Sequence, residues 1–230
     1  MIGKDSKRNG DSDMTTCYFI RHGVTQMNAQ GRVNGALVDT PLMPIGIRGA
    51  KEAGESLQNI LFDRIYASPQ MRAVATAEVV LQQNNAQLET PQPIRLAEPL
   101  REMSLGDWEG HRIKDYTDHP QYYNFVHAPS AFNPASFNGE PFQTVVQRGV
   151  GFMQQVVSAD NDQTLLFVGH GTMLTILMRS LLGVPYDQLL ADGYIDNTSI
   201  SVLTTSDGRQ YKKIRWNDTS FLSQPVYNHL

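Results

Sequence analysis

The stretch TTCYFIRHG, Thr15 to Gly23, decides how the rest of the chain is read. Five of its first six residues are β-branched or aromatic, and the run is short and closed by a glycine turn, the pattern of a buried strand. At that turn, where small residues are usual, stand Arg21 and His22. In open α/β sheets, ligands sit outside the carboxyl ends of the strands, so a guanidinium and an imidazole at this junction mark a candidate site.

Working outward, the 20 residues that follow carry Gly31, Gly35, Asp39, Pro41 and Pro44 and are expected to be a loop close to the strand end. Residues 45–60 have helical spacing, although three glycines weaken it. FDRIYAS, 62–68, reads as a second strand. Ser68 and Pro69 are expected to be the N-cap and first residue of a helix over 69–83. A short strand near Ile94 to Leu96 comes next, then a helix from about Pro141 to Ser158. The strand TLLFVGHG, 164–171, passes into a helix ending at Gly183. Strands near Ile195 to Thr204 and Tyr211 to Trp216, joined by the turn SDG, make a terminal hairpin.

Strands alternating with helices imply an α/β three-layer sandwich, with a mostly parallel central sheet and helices on both faces. Residues 14–230 are expected to form one domain, interrupted at about 105–142 by an inserted aromatic cap. Residues 1–13 are polar and read as a flexible extension.

Composition narrows the function. The chain has 230 residues, 40% hydrophobic and 18% charged, an ordinary globular mixture. A net charge of −4 with 19 scattered lysines and arginines argues against nucleic acid as a partner. No apolar run approaches the roughly 18 residues that span a bilayer, and the start lacks a signal-peptide core, so no membrane partner and a cytoplasmic location are expected. Cys17, the single cysteine, cannot form an internal disulfide. A homodimer through the terminal strands is possible.

Three strand ends receive unusual polar groups: Arg21 and His22 after the first strand, Arg72 inside the helix after the second, and His170 after LLFVG. Four groups able to carry positive charge would repel in an empty, poorly hydrated pocket, so a multiply charged anion belongs among them. Phosphate suits the guanidinium forks. Zinc is disfavoured, because no His-x-His or Cys pair has ligand spacing. His111, His119 and His127 are read as solvated or packing residues.

The motifs RHGVTQMN (21–28), GRVNG (31–35), SPQMRAVATA (68–77), LREMSLGDWEG (100–110) and VGHG (168–171) together resemble the histidine phosphatase superfamily, the phosphoglycerate mutase-like family. The resemblance implies a nucleophilic His22 that becomes a phosphohistidine, with Arg21, Arg72 and His170 holding the phosphoryl oxygens. It makes Glu102 the general acid, with Glu109 and Asp107 as alternatives. Asn28 and the Gly171 backbone N–H would contact the phosphoryl group, and Asn34 and Thr25, which border the same loop, are expected to touch the substrate. No metal and no cofactor is implied.

Within that family the expected activity is phosphomonoester hydrolysis of a small phosphorylated metabolite. Mutase-type transfer is the runner-up, because residues 105–150 offer only Arg112, Lys114 and Arg148 for a second anion. A non-catalytic phosphate-binding module is the third reading. The cap aromatics, Trp108, Tyr116, Tyr122, Tyr123, Phe125, Phe132, Phe137 and Phe142, are expected to line an apolar substrate pocket or to form the cap's own core.

Overall fold

The computed structural model describes residues 14–157 and 162–225. The expected extension at 1–13 lies outside them. In chain order the elements are β1 (Thr15–Arg21), α1 (Gln26–Ala29), α2 (Pro44–Ser56), β2 (Arg64–Ala67), α3 (Met71–Gln82), α4 (Asn85–Glu89) and β3 (Ile94–Leu96). They continue as α5 (Pro120–His127), α6 (Phe142–Val157), β4 (Thr164–Gly169), α7 (Gly171–Leu181), β5 (Ile200–Thr205) and β6 (Lys212–Asp218). Six strands form one sheet in the order β3-β2-β4-β1-β5-β6. The first four are parallel, and β5 and β6 are antiparallel additions.

Alternation along the central strands builds a core on each face. Cys17, Phe19, Leu165 and Phe167 point into a large cluster with α6, α7 and the cap. Ile20, Leu166 and Val168 point the other way, onto α2 and α3. With a side-chain period of two, a one-residue slip would reverse both sets, so the register is strongly fixed.

The glycines that weaken α2 as a helix have a packing reason. A Cβ on Gly46 would lie 2.3 Å from the Val24 carbonyl oxygen, so a bare backbone is what lets α2 lie against the loop after β1.

Three expected boundaries move. α3 opens at Met71 behind Gln70, not at Pro69, and Ser68 does not cap it. Instead Ser68 continues the parallel register, its N–H donating to Val168 O at 2.9 Å, which turns its hydroxyl toward His170. The strand expected from Ile195 begins at Ile200. Before it, Thr198 adopts φ 59° and donates its N–H to Arg21 O at 2.9 Å, and Asn197 Nδ2 donates to His22 O at 2.8 Å. That segment braces the β1 turn instead of pairing in the sheet. Finally, the loop after β1 contains the one-turn helix α1.

Candidate active site

The parallel pairing of β1 with β4 sets Arg21 opposite Gly169, so the next residue on each strand, His22 and His170, emerges at the same edge. Their ring centroids are 5.2 Å apart. His22 Nδ1 lies 2.8 Å from Gly23 O. A carbonyl can only accept, so Nδ1 carries the proton and Nε2 keeps its lone pair. Burial, reinforced by the charges of Arg72 and Arg21, holds the imidazole's pKa well below its ordinary value of 6.5.

His170 is fully buried, with Nε2 2.8 Å from Ser68 Oγ. Burial and then Arg72 depress its pKa in the same way. Its Nδ1 has no hydrogen-bond partner among the described residues. If the Ser68 hydroxyl donates to Nε2, the neutral ring presents Nδ1–H to the site.

The arginines are pinned from behind. Arg21 Nη1 donates to Ile195 O at 2.6 Å, and Gly171 leaves room for the guanidinium: a Cβ there would sit 2.9 Å from Arg21 Cζ. Arg72, fully buried, binds Val38 O and Asp39 Oδ1 through Nη1, and Asn34 O and Gly35 O through Nη2. In both side chains Nε is buried and unpartnered among the described residues. Two guanidinium N–H groups and one imidazole nitrogen without partners make a site short of an acceptor, as a tetrahedral anion would be.

Glu102 caps the N-terminus of α7. Its Oε1 accepts from Met173 N and Met103 N, both at 2.8 Å, and its Oε2 from Thr172 N at 3.1 Å. Burial raises its pKa above the usual 4.5, against the lowering effects of the Met103 N–H and Arg72.

Glu109 has a different task. Its carboxylate accepts from Ala36 N, Leu37 N, Val38 N, Leu105 N and Ser104 Oγ at 2.6–3.2 Å. Asp107 accepts from Asn138 Nδ2. Neither alternative acid lines the cavity that Glu102 shares with His22.

Arg21, His22, Asn28, Asn34, Glu102 and Gly171 all face that cavity. Arg72 and His170, both fully buried, are absent from its lining, and so, contrary to expectation, is Thr25. It is fully buried as the N-cap of α1, with its hydroxyl donating to Asn28 Oδ1 at 2.9 Å and accepting from Asn34 Nδ2 at 3.0 Å. Asn28 Oδ1 also accepts from Thr25 N at 3.1 Å, so its carbonyl end is held and the amide end is the part left for the cavity.

The cap aromatics divide. Trp108, Tyr116, Tyr122 and Phe125 line the cavity. Phe132, Phe137 and Phe142 instead pack around them as the cap's core, and Tyr123 is exposed. Tyr194, from the segment between α7 and β5, joins the lining without having been singled out in the sequence. Ser68, Gln70 and Asn197 were missed as well. Gln70 ties Gly35 O, at 3.0 Å, to the Glu102 N–H, at 2.9 Å. Among the described residues no group of three or more His, Cys, Asp or Glu side chains could hold a metal ion, and no helix is long and apolar enough to cross a membrane.

Two histidines, two arginines and a buried carboxylate converging at the carboxyl edge of a parallel sheet match a known pattern, and the family model of the histidine phosphatase superfamily (branch 1) aligns with residues 17–219. The chain belongs to that superfamily. It is 33% identical over 174 residues to the adenosylcobalamin/alpha-ribazole phosphatase of Escherichia coli, covering 75% of this chain and 81% of the relative. The fold of this superfamily member superposes on Bacillus stearothermophilus YhfR with a TM-score of 0.79 at 32% identity, covering 90% of this chain and 98% of that one. A mycobacterial glucosyl-3-phosphoglycerate phosphatase superposes with a TM-score of 0.75 at 26% identity, covering 90% of this chain and all of the other.

Proposed function

We propose that this chain is a metal-independent phosphomonoesterase that works through a phosphohistidine at His22. The observation that carries the reading is the tautomer of His22. With Nδ1–H held by Gly23 O and the ring kept neutral by burial and two guanidinium charges, Nε2 is a free nucleophile facing an anion-hungry site.

In the first step Nε2 attacks phosphorus in line, and the P–O bond to the leaving alcohol breaks. Glu102, whose buried carboxyl is biased toward its protonated form, gives its proton to the departing oxygen. In the second step water attacks phosphorus, the P–N bond breaks, and Glu102 takes the water proton back. Arg21, Arg72, His170 and the Asn28 amide supply the donors for the equatorial oxygens, where fixed positive charge stabilises the transferring group. The α7 N-terminus at Gly171 adds its partial positive charge.

The relatives' names support hydrolysis of small phosphate esters. Return of the phosphoryl group to a sugar acid has less support, since one of the three cap cations, Arg148, is already bound to Glu140 and to the carbonyls of Pro99 and Arg101. The test is phosphate release from 4-nitrophenyl phosphate, together with alkali-quenched trapping of labelled enzyme. The wild-type chain should release phosphate in the presence of chelator and carry an acid-labile, base-stable phosphoryl group. His22→Ala should do neither. Undiminished turnover in that variant would remove His22 from the mechanism.

A further inference from the structure

The geometry points to a substrate class: a phosphomonoester whose alcohol carries an uncharged planar ring, held between Tyr122 and Tyr194 as specificity-determining residues. This deepens the phosphatase reading and rests on it.

The cavity is divided sharply by polarity. Its inner end holds Arg21, His22, Glu102 and the Asn28 and Asn34 amides. On the cap side the wall is made of Trp108, Ile113, Tyr116, Tyr122, Phe125 and Tyr194. Among the lining residues there, Arg32 is the one cation, and its Nη1 is bound to Gly110 O at 2.6 Å. No acid or amide side chain stands on that wall. A sugar or polyol brought here would lose water from several hydroxyls and find few acceptors, which disfavours it. A second anionic group would find one cation, Arg32, among aromatic faces. A flat apolar ring loses little solvation and gains contact with rings on several sides.

The rings are arranged for this. Trp108 stacks on Tyr116 with centroids 4.8 Å apart and on Phe137 at 4.0 Å, which fixes the wall from behind. Phe125 stands 6.4 Å from Tyr194 with planes inclined by 29°, so α5 of the cap and the segment before β5 approach each other at the cavity wall. Tyr122, one turn before Phe125 on α5, also borders the groove outside the cavity, placing it at the rim. Neither the Tyr122 nor the Tyr194 hydroxyl forms a hydrogen bond among the described residues. Either can therefore bind a heteroatom on the ring's edge while the other's face packs on the ring.

The experiment uses the full chain and three esters of alcohols with comparable basicity: ethyl phosphate, glycerol 3-phosphate and 2-phenylethyl phosphate. The expected kcat/KM for the phenylethyl ester is about 30-fold above that for ethyl phosphate, mostly through KM, with glycerol 3-phosphate no better than ethyl. In the double variant Tyr122→Ala/Tyr194→Ala the phenylethyl-to-ethyl ratio should fall to about threefold or less. Tyr123→Ala, an exposed neighbour on the same helix, should leave the ratio unchanged. Should the double variant not fold, competitive inhibition of the wild type by 2-phenylethanol, with ethyl phosphate as substrate and ethanol as control, measures the same slot. Equal rates on ethyl and phenylethyl esters, no inhibition by phenylethanol, or a preference for the glycerol ester would overturn the inference while leaving the phosphatase intact. Failure to hydrolyse any of the three would take down the phosphatase reading and this one with it.

Discussion

Proton positions at single residues set the pH profile. His22 must be neutral to attack, and its pKa lies well below 6.5 because burial and two guanidinium charges oppose the imidazolium. Acidification through pH 6.5 should therefore not cost activity through His22, whereas an exposed histidine nucleophile would lose most of it. Glu102 must begin protonated, and its pKa is raised above 4.5 by burial, so kcat should fall as pH rises past that raised value. Glu102→Gln should remove the alkaline descent and lower kcat on ethyl phosphate by about 10²- to 10⁴-fold. The loss in kcat/KM, which reports the first step alone, should be much smaller on 4-nitrophenyl phosphate than on ethyl phosphate, because its leaving oxygen needs no proton. Equal losses on both esters would exclude Glu102 as proton donor. Gly171→Ala tests the arginine. Its methyl would press on Cζ of a guanidinium that Ile195 O prevents from retreating, so the inhibition constant of orthophosphate should rise about tenfold, near 1.4 kcal/mol.

The segment from 34 to 39 is organised as an element although it has no regular structure. Glu109 collects its N–H groups while Arg72 and Gln70 collect its carbonyls, so one loop is suspended between the acid of GDWEG and the guanidinium beside the phosphoryl site. Glu109→Ala should weaken orthophosphate binding at least tenfold without removing any group that touches phosphate. It should lower unfolding stability by roughly 2 kcal/mol in urea titration, the scale of a few partly solvated hydrogen bonds. Unchanged phosphate affinity would show that Arg72 holds its place without the loop. At this scale the sequence is legible where its pattern speaks: the strands around Phe19 and Phe167 announce themselves as short apolar runs buried on both faces, the helix from Phe142 through its one apolar face, and the terminal hairpin through its turn. It is illegible where side chains bind backbone across long separations. Nothing local to Ser68 distinguishes a helix cap from a partner for a histidine 102 positions away, and nothing local to Asn197 shows that it braces His22. Thr25 was misread for the opposite reason: it neighbours the site in sequence, but its hydroxyl is consumed in capping α1.

Across the whole molecule, a site assembled from buried cations couples folding to protons and to anions. His22 and His170 have folded pKa values well below 6.5, so each unfolds into a form that takes up a proton below that pH. The unfolded chain then binds more protons than the native one, and stability present in full above about pH 6.5 is lost as pH falls toward the depressed values. The two together make a slope of at most about 2.7 kcal/mol per pH unit, at 1.36 for each. Glu102 acts in the opposite sense: its raised folded pKa lets the native state gain a proton first, so its contribution strengthens as pH falls through that value and offsets part of the slope. Urea midpoints between pH 5.5 and 6.5 should decline with acid, and His170→Gln should remove about half of the decline. Orthophosphate works on the same imbalance by supplying the acceptor that Arg21 Nε, Arg72 Nε and His170 Nδ1 lack. At 100 times its dissociation constant it should add about 2.7 kcal/mol of stability. For a chain of this size that is a rise in melting temperature of about 8 °C. Sulfate at equal ionic strength controls for screening and preferential exclusion, and Arg72→Met should abolish the phosphate-specific increment. A melting temperature indifferent to phosphate, or an increment that survives in Arg72→Met, would mean that these cations do not share one anion.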